Sequence, residues 1–214
     1  MKISILGTGK MGSAVGRQLA KCGYQVIFGS RDPTANMDKF SGINTISIKN
    51  YSEAALSANV VVVAVPWSFA LELLKSLEDQ LKGKVIVDLT NPLSADISRL
   101  VVGGNDSAAE QIASRLPESH VVKAFNAITA DSFPTPNLCG EPAQIFYCSD
   151  NEAAKDVART LITSVGYEHK NCGVLSNARY LEAIAMLWLQ LAFWEEKGSE
   201  WSFKIVGEFE EVCA

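Results

Sequence analysis

Residues 3–12, ISILGTGKMG, decide the fold. The short run Ile3 to Leu6 reads as a strand, and it passes directly into Gly7, Gly9 and Gly12 at the start of an amphipathic stretch from about Met11 to Cys22. Each glycine has its own purpose in a strand-turn-helix of this kind: Gly7 permits the tight turn, Gly9 lets the backbone approach a pyrophosphate, and Gly12 lets helix and strand pack closely. The unpaired N–H groups at the helix amino terminus would then face the diphosphate. Gly16, one turn later, extends the small-residue face.

The rest of the chain repeats the same alternation. Further β-branched or apolar runs occur at Gln25 to Phe28, Thr45 to Ile48, Val60 to Val65, Lys84 to Asp88, His120 to Phe125 and Gln144 to Cys148. Between them lie helical patterns at Ser52 to Ala58, Phe69 to Gln80, Ser107 to Arg115 and Glu152 to Val165. This order predicts an α/β architecture: a Rossmann-type, doubly wound, mainly parallel sheet with helices on both faces and a small C-terminal helical appendage. The expected seam is the turn around Gly173, dividing a dinucleotide-binding domain, 1–173, from a C-terminal segment, 174–214.

The second strand says which dinucleotide. About 18 residues beyond Gly12, where NAD-binding folds place a carboxylate for the ribose 2′-hydroxyl, this chain has Ser30 and Arg31. A carboxylate would repel a 2′-phosphate, whereas a hydroxyl and a guanidinium donate to one, so the pair selects NADP(H). Asp32, followed by Pro33, reads as a helix cap.

Three later strand ends reach the carboxyl edge where open α/β sheets bind ligands. AVPW, 64–67, carries Val65 and Pro66, and Pro66 fixes the backbone as it leaves the sheet. DLTNPL, 88–93, leaves its strand in the same manner, and either motif alone is equally a turn. VVKAFNAITA, 121–130, ends in Asn126, the candidate ring-positioning residue, whose amide could meet a nicotinamide carboxamide or an acceptor ring as readily as satisfy its own loop.

The stretch after Gly173, LSNARYLEAIAMLWLQLAFW, is apolar on most of its circumference. Its narrow polar stripe, Glu182 and Gln190 with Met186 between them, is expected to face solvent. Trp188, Phe193 and Trp194 suit a core helix, a dimer-forming helix or the wall of a flat ligand's pocket.

Composition narrows the classes. A net charge of -5 with no basic patch argues against nucleic acid. No apolar run approaches the roughly 20 residues that span a bilayer, and five scattered cysteines without a C-x-x-C pattern fit a reducing cytoplasm rather than a disulfide framework. With only His120 and His169, neither a metal site nor a Ser-His-Asp triad is expected. Hydride transfer between two redox rings needs stacking more than an acid or base. Carbonyl reduction would need a proton donor, for which Tyr180, Lys123 and Asp131 are candidates.

Taken in order, GTGKMGSAVGRQLA, GSRD, VAVPW, DLTNPL, SAAEQIASRLP, VVKAFNAITA and GVLSNARYLEA resemble NADP oxidoreductases dependent on coenzyme F420 and the cytoplasmic domain of STEAP-type metalloreductases. The similarity runs from Lys2 to about Trp194. It implies an NADPH-binding fold, usually a homodimer, with the nicotinamide facing F420, FMN or FAD. It also implies that Gly7, Thr8, Gly9, Lys10, Met11 and Gly12 line the diphosphate and that Ser30 and Arg31 meet the 2′-phosphate. Val65, Pro66 and Asn91 would lie along the nicotinamide side, with Ala124 and Asn126 near the ring. The expected function is hydride transfer between NADP(H) and such a small-molecule acceptor. The alternatives are an NADPH-dependent reductase of a small carbonyl or imine compound and an NADPH-sensing module without turnover.

Overall fold

Four consecutive valines, Val60–Val63, form β4 near the middle of an eight-stranded sheet and are all buried. The structure, a computed structural model, describes residues 1–196 and 198–207, the side chain of Met37 excepted. The remainder of the 174–214 segment, Cys213 included, lies outside the described residues.

The strands are β1 Lys2–Leu6, β2 Gln25–Gly29, β3 Ile46–Lys49, β4, β5 Val85–Asp88, β6 His120–Ala124, β7 Asn137–Leu138, β8 Glu141–Pro142, β9 Gln144–Cys148 and β10 Glu168–Asn171. The large sheet runs β10-β9-β6-β5-β4-β1-β2-β3, and β7 pairs with β8 apart from it. Every neighbouring pair in the large sheet is parallel except β6 and β9, which pair Lys123 with Cys148 and Ala124 with Tyr147.

Side chains alternate across a strand, and here both faces are covered. Val60 and Val62 join Ile3, Ile5, Val87 and Val122 in one core, closed by Val15 and Leu19 of α1 (Lys10–Lys21) and by Ala158, Leu161 and Ile162 of α6 (Glu152–Ser164). Val61 and Val63 join Leu6 and Ile86 in the other. That face is covered by Ala54 and Ala55 of α2 (Tyr51–Leu56), Leu74 of α3 (Trp67–Ser76), Leu81 of α4 (Glu78–Leu81), Ile112 of α5 (Ala108–Arg115) and Leu181 of α7 (Ala178–Leu189). The chain reverses its direction of winding between β1 and β4, which opens a crevice over their carboxyl ends.

Several expectations require correction. The single helix expected from Phe69 to Gln80 is two, because Leu77 leaves helical geometry (φ -110°, ψ 8°) and Glu78 and Asp79 open a new first turn, where acidic side chains are favoured. After Asp32 and Pro33 the chain forms a 3₁₀ turn, Thr34–Phe40. The β7–β8 hairpin turns on Cys139 (φ 52°) and Gly140 (φ 88°), the left-handed pair that a two-residue turn demands.

At the far end, α7 passes into a π-helix, Gln190–Trp194. The polar stripe expected there faces inward at its most charged residue: Glu182 is 1% exposed. The large rings divide as well. Trp188 is buried under Trp201, whose ring stacks on it at 5.4 Å, while Phe193 and Trp194 stay exposed.

Candidate functional site

The glycine turn sits where β1 is hydrogen-bonded on both sides, Gly7 N donating to Gly29 O and Ala64 N to Leu6 O, each at 3.0 Å. Gly7 has φ 122°, and a Cβ on it would come within 2.4 Å of Ala64 O. A Cβ on Gly12 would come within 2.3 Å of Gly7 O, and one on Gly16 within 2.2 Å of Phe28 Cζ. These three glycines are therefore explained by the protein itself.

Gly9 is different. No atom lies within 4 Å of a Cβ built on it, and its φ of -69° and ψ of -177° suit any residue. It is the N-cap of α1, which has no side-chain cap and no acidic residue in its first turn, whereas α2, α5 and α6 are capped by Asn50, Ser107 and Asn151. Thr8, Gly9, Lys10 and Met11 thus surround an open helix amino terminus suited to an anion, with the buried Gly12 beneath them.

Beside this loop, Asp32 caps the turn as expected: its Oδ1 accepts from Ala35 N at 3.0 Å and from Thr34 Oγ1 at 2.8 Å. The Ala35 N–H and the Thr34 hydroxyl hold its carboxyl below the ordinary aspartate value. Ser30 is buried and belongs to the same turn, donating to Asp32 O at 2.9 Å and accepting from Asn36 Nδ2 at 3.1 Å. Arg31 projects outward instead, with its guanidinium carbon 5.1 Å from the centre of the half-exposed Phe69 ring. Its charge also reaches Tyr51, whose phenol burial raises and Arg31 partly lowers. Lys39, which the sequence patterns did not single out, donates from Nζ to Thr8 O at 3.3 Å. A cation and an exposed aromatic ring therefore stand at one end of the crevice, with a second cation over the glycine turn.

The other end is built from the exits of β4, β5 and β6. Val65 is buried and Pro66 exposed at the head of α3. Ala124 is fully buried, and Phe125 after it adopts φ 59°. A left-handed backbone is uncommon for a bulky residue and concentrates at functional sites. It turns Asn126 so that its Nδ2 donates to Asn91 Oδ1 at 3.0 Å and to Leu181 O at 2.8 Å, while Asn91 Nδ2 donates to Asn126 O at 2.7 Å. Asn91, expected along the nicotinamide side, and Asn126, expected near the ring, are thus bonded to each other.

Beneath them is a fully buried charge cluster. Lys123 Nζ donates to Asp88 Oδ2 at 2.9 Å, to Glu182 Oε1 at 2.7 Å and to Thr90 O. Asp88 Oδ1 accepts from Thr90 N and Thr90 Oγ1 at 2.8 and 2.7 Å, and Glu182 Oε2 accepts from Ala108 N at 3.1 Å at the start of α5. Burial alone would favour a neutral lysine, but Asp88 and Glu182 together outweigh it and hold the ammonium's pKa above the ordinary value. Burial raises the Glu182 carboxyl, against the pull of Lys123. Lys123 has no exposed surface and is not a proton donor to a bound substrate.

No group of three or more His, Cys, Asp or Glu residues suited to a metal occurs among the described residues, and no described helix is long and apolar enough to cross a membrane.

Residues 2–92 match the family described as NADP oxidoreductase, coenzyme F420-dependent. The F420-dependent NADP reductase of Methanocaldococcus jannaschii is 32% identical over 211 residues, covering 89% of this chain and 92% of the relative. The chain belongs to the F420-dependent NADP oxidoreductase family. It is an NADP-dependent oxidoreductase, and the fold agrees: a crystal structure from Arthrobacter sp. FB24, provisionally assigned as an F420-dependent NADP reductase, superposes with a TM-score of 0.88 at 30% identity. That match covers 97% of this chain and 100% of the other. The metalloreductase STEAP3 of Rattus norvegicus is 34% identical over 185 residues, which is 86% of this chain but 36% of that protein. The chain therefore spans about a third of that relative.

In this NADP-dependent oxidoreductase the glycine turn, the Arg31 end and the asparagine pair all lie at the carboxyl rim of the parallel strands. The Lys123 cluster escaped sequence patterns because its three charges come from β5, β6 and α7, and only the fold brings them together.

Proposed function

We propose that this oxidoreductase transfers hydride between NADP(H) and a flavin or deazaflavin acceptor of the F420 kind. The observation that carries the proposal is Gly9. Neither packing nor dihedral angle requires glycine there, and a serine or aspartate would cap α1 better. An unfilled space against an uncapped helix amino terminus fits a dinucleotide's diphosphate. Thr8, Gly9, Lys10 and Met11 would hold it, with Gly7 and Gly12 setting the close backbone path.

Arg31 would donate to the 2′-phosphate, and the ordered turn of Ser30 and Asp32 would aim it. Val65, Pro66, Asn91 and Asn126 would border the nicotinamide, with the fully buried Ala124 behind them at the end of β6. When bound, NADPH supplies the hydride from that ring. The chain's part is orientation and exclusion of water, because ring-to-ring transfer needs no protein acid or base. The sealed position of Lys123 removes one candidate donor for carbonyl reduction, which requires a proton at the substrate oxygen, and leaves the exposed Tyr180 and Asp131 as the candidates for that alternative.

The same proposal makes the segment 174–214 part of the acceptor's pocket and of a subunit interface in a cytoplasmic homodimer. Leu187, Phe193 and Trp194, 49%, 57% and 48% exposed, support it as a large apolar surface. The decisive assay follows the loss of NADPH absorbance after F420, FMN or FAD is added to the purified protein. Oxidation of NADPH is expected, fastest with F420; no oxidation with any of the three would refute the proposal. Light scattering on the same sample is expected to give twice the chain mass, and a monomer would remove the interface.

A further inference from the structure

The buried charge cluster and the asparagine pair form two adjoining hydrogen-bond layers that share the same three elements. β5 and the turn after it supply Asp88 and Asn91; β6 and its exit supply Lys123 and Asn126; α7 supplies Glu182 and the Leu181 carbonyl. Consecutive residues of α7 thus grip both layers at once. Glu182 binds Lys123 at 2.7 Å, and Leu181 O accepts from Asn126 Nδ2 at 2.8 Å.

A burial this complete is costly unless every charge is paired, and here nearly every polar atom is. Glu182 additionally accepts from Ala108 N and Ala109 N, so the amino terminus of α5 offsets the cluster's excess negative charge. Outside the cluster a second bridge joins the same helices, Arg179 Nε donating to Glu110 Oε2 at 2.8 Å. The removal of Glu182 would still leave Lys123 paired with Asp88, a neutral couple. Folding therefore does not need all three charges, and what Glu182 adds is a polar tie between α7 and the end of β6.

We propose that Glu182 is a positioning residue for hydride transfer: through Lys123 it fixes α7 against the exits of β5 and β6, and so fixes Asn91 and Asn126 where the nicotinamide would lie. This rests on the function proposed above. Arg31, just beyond β2, and Phe69, on α3, form the other end of the crevice, and binding there should be indifferent to the cluster.

The test compares Glu182→Leu and Glu182→Gln with the parent protein. NADPH affinity is measured by titration, the nicotinamide's surroundings by the fluorescence lifetime of bound NADPH, and hydride transfer by single-turnover reduction of F420 with NADPH deuterated at the transferred position. For Glu182→Leu the expected result is affinity within about threefold of the parent, a shortened lifetime, transfer slowed at least about tenfold and a larger isotope effect. Glu182→Gln, which keeps the shape but replaces one accepting oxygen with an NH2 facing Lys123 or Ala108 N, should show a smaller loss of both signals than Glu182→Leu. A purely structural role would lower the melting temperature and leave lifetime and isotope effect alone, and that result would overturn the inference. Should Glu182→Leu not fold, Glu182→Gln decides: a measurable fall in lifetime and transfer rate supports positioning, and parent values overturn it. If the parent binds NADPH but reduces no acceptor, the proposed function fails and the lifetimes still judge Glu182. If it binds no NADPH, both fall together.

Discussion

Substituting Gly9 by alanine separates a glycine kept for a ligand from glycines kept for the fold. The new methyl would enter space with no protein atom within 4 Å, at an N-cap whose φ of -69° alanine adopts freely. Alanine is a poorer N-cap than glycine but loses less chain entropy on folding, and the two effects are each about 0.5–1 kcal/mol and opposed. The melting temperature without cofactor should therefore stay within about 4 °C of the parent. Cofactor binding should not be spared, because the methyl fills the place where the diphosphate must approach the backbone. Loss of one charge-assisted hydrogen bond, about 1.5–3 kcal/mol, corresponds to roughly ten- to hundredfold in affinity.

Gly12→Ala is the control. Its methyl would lie 2.3 Å from the Gly7 carbonyl oxygen, a backbone atom that cannot swing aside. Overpacking of that kind costs about 1–3 kcal/mol, so this variant should lose stability as well as affinity. Thermal melting and fluorescence titration with NADPH read both quantities. A Gly9→Ala protein that melts normally and binds NADPH as tightly as the parent would refute the diphosphate assignment.

Two further outcomes follow from single residues. Arg179 and Ser107 hold the Glu110 carboxyl below its ordinary value of 4.5, against the effect of its partial burial. A depressed folded pKa contributes stability that is present above the unfolded value and lost as pH falls through the folded one. The difference in urea midpoint between the parent and Glu110→Gln should therefore be full at neutral pH and shrink below about pH 4.5; a difference constant from neutral to strongly acidic pH would exclude the pair as its cause. Burial pushes the Cys148 thiol up to about 12, so in the native protein a thiol reagent should modify the exposed Cys22 and Cys139 while Cys148 reacts only on unfolding. Mass mapping that finds Cys148 labelled first would contradict its burial.

What the sequence made legible was what repeats or what is local. β1, β4 and β6 are β-branched runs long enough to announce buried parallel strands, and the spacing of Gly7, Gly9 and Gly12 locates the turn without knowledge of its surroundings. The capping by Asp32 is equally local, within three residues of its partners. β10 was not legible: its residues, EHKN, are polar because an edge strand is solvated and guarded by charge, which erases the apolar signature. Cys139 and Gly140 hid the small hairpin, since cysteine is not a usual residue for a left-handed turn position.

Glu182 is the instructive failure. A carboxylate on a helix reads as solvent-facing unless a buried cation awaits it, and the cation here is 59 residues away on another element. Lys39, 31 residues from Thr8, is hidden for the same reason. Arg31 could be read from the end of β2, but its stacking on Phe69 needed the fold.

Calorimetric titration of the parent protein and Arg31→Ala with NADPH and with NADH tests the central claim most directly. The parent should bind NADPH roughly ten- to hundredfold more tightly than NADH, and Arg31→Ala should lose that preference while its NADH affinity stays nearly constant. Equal affinities for the two nucleotides in the parent, or an equal loss of both in the variant, would contradict it.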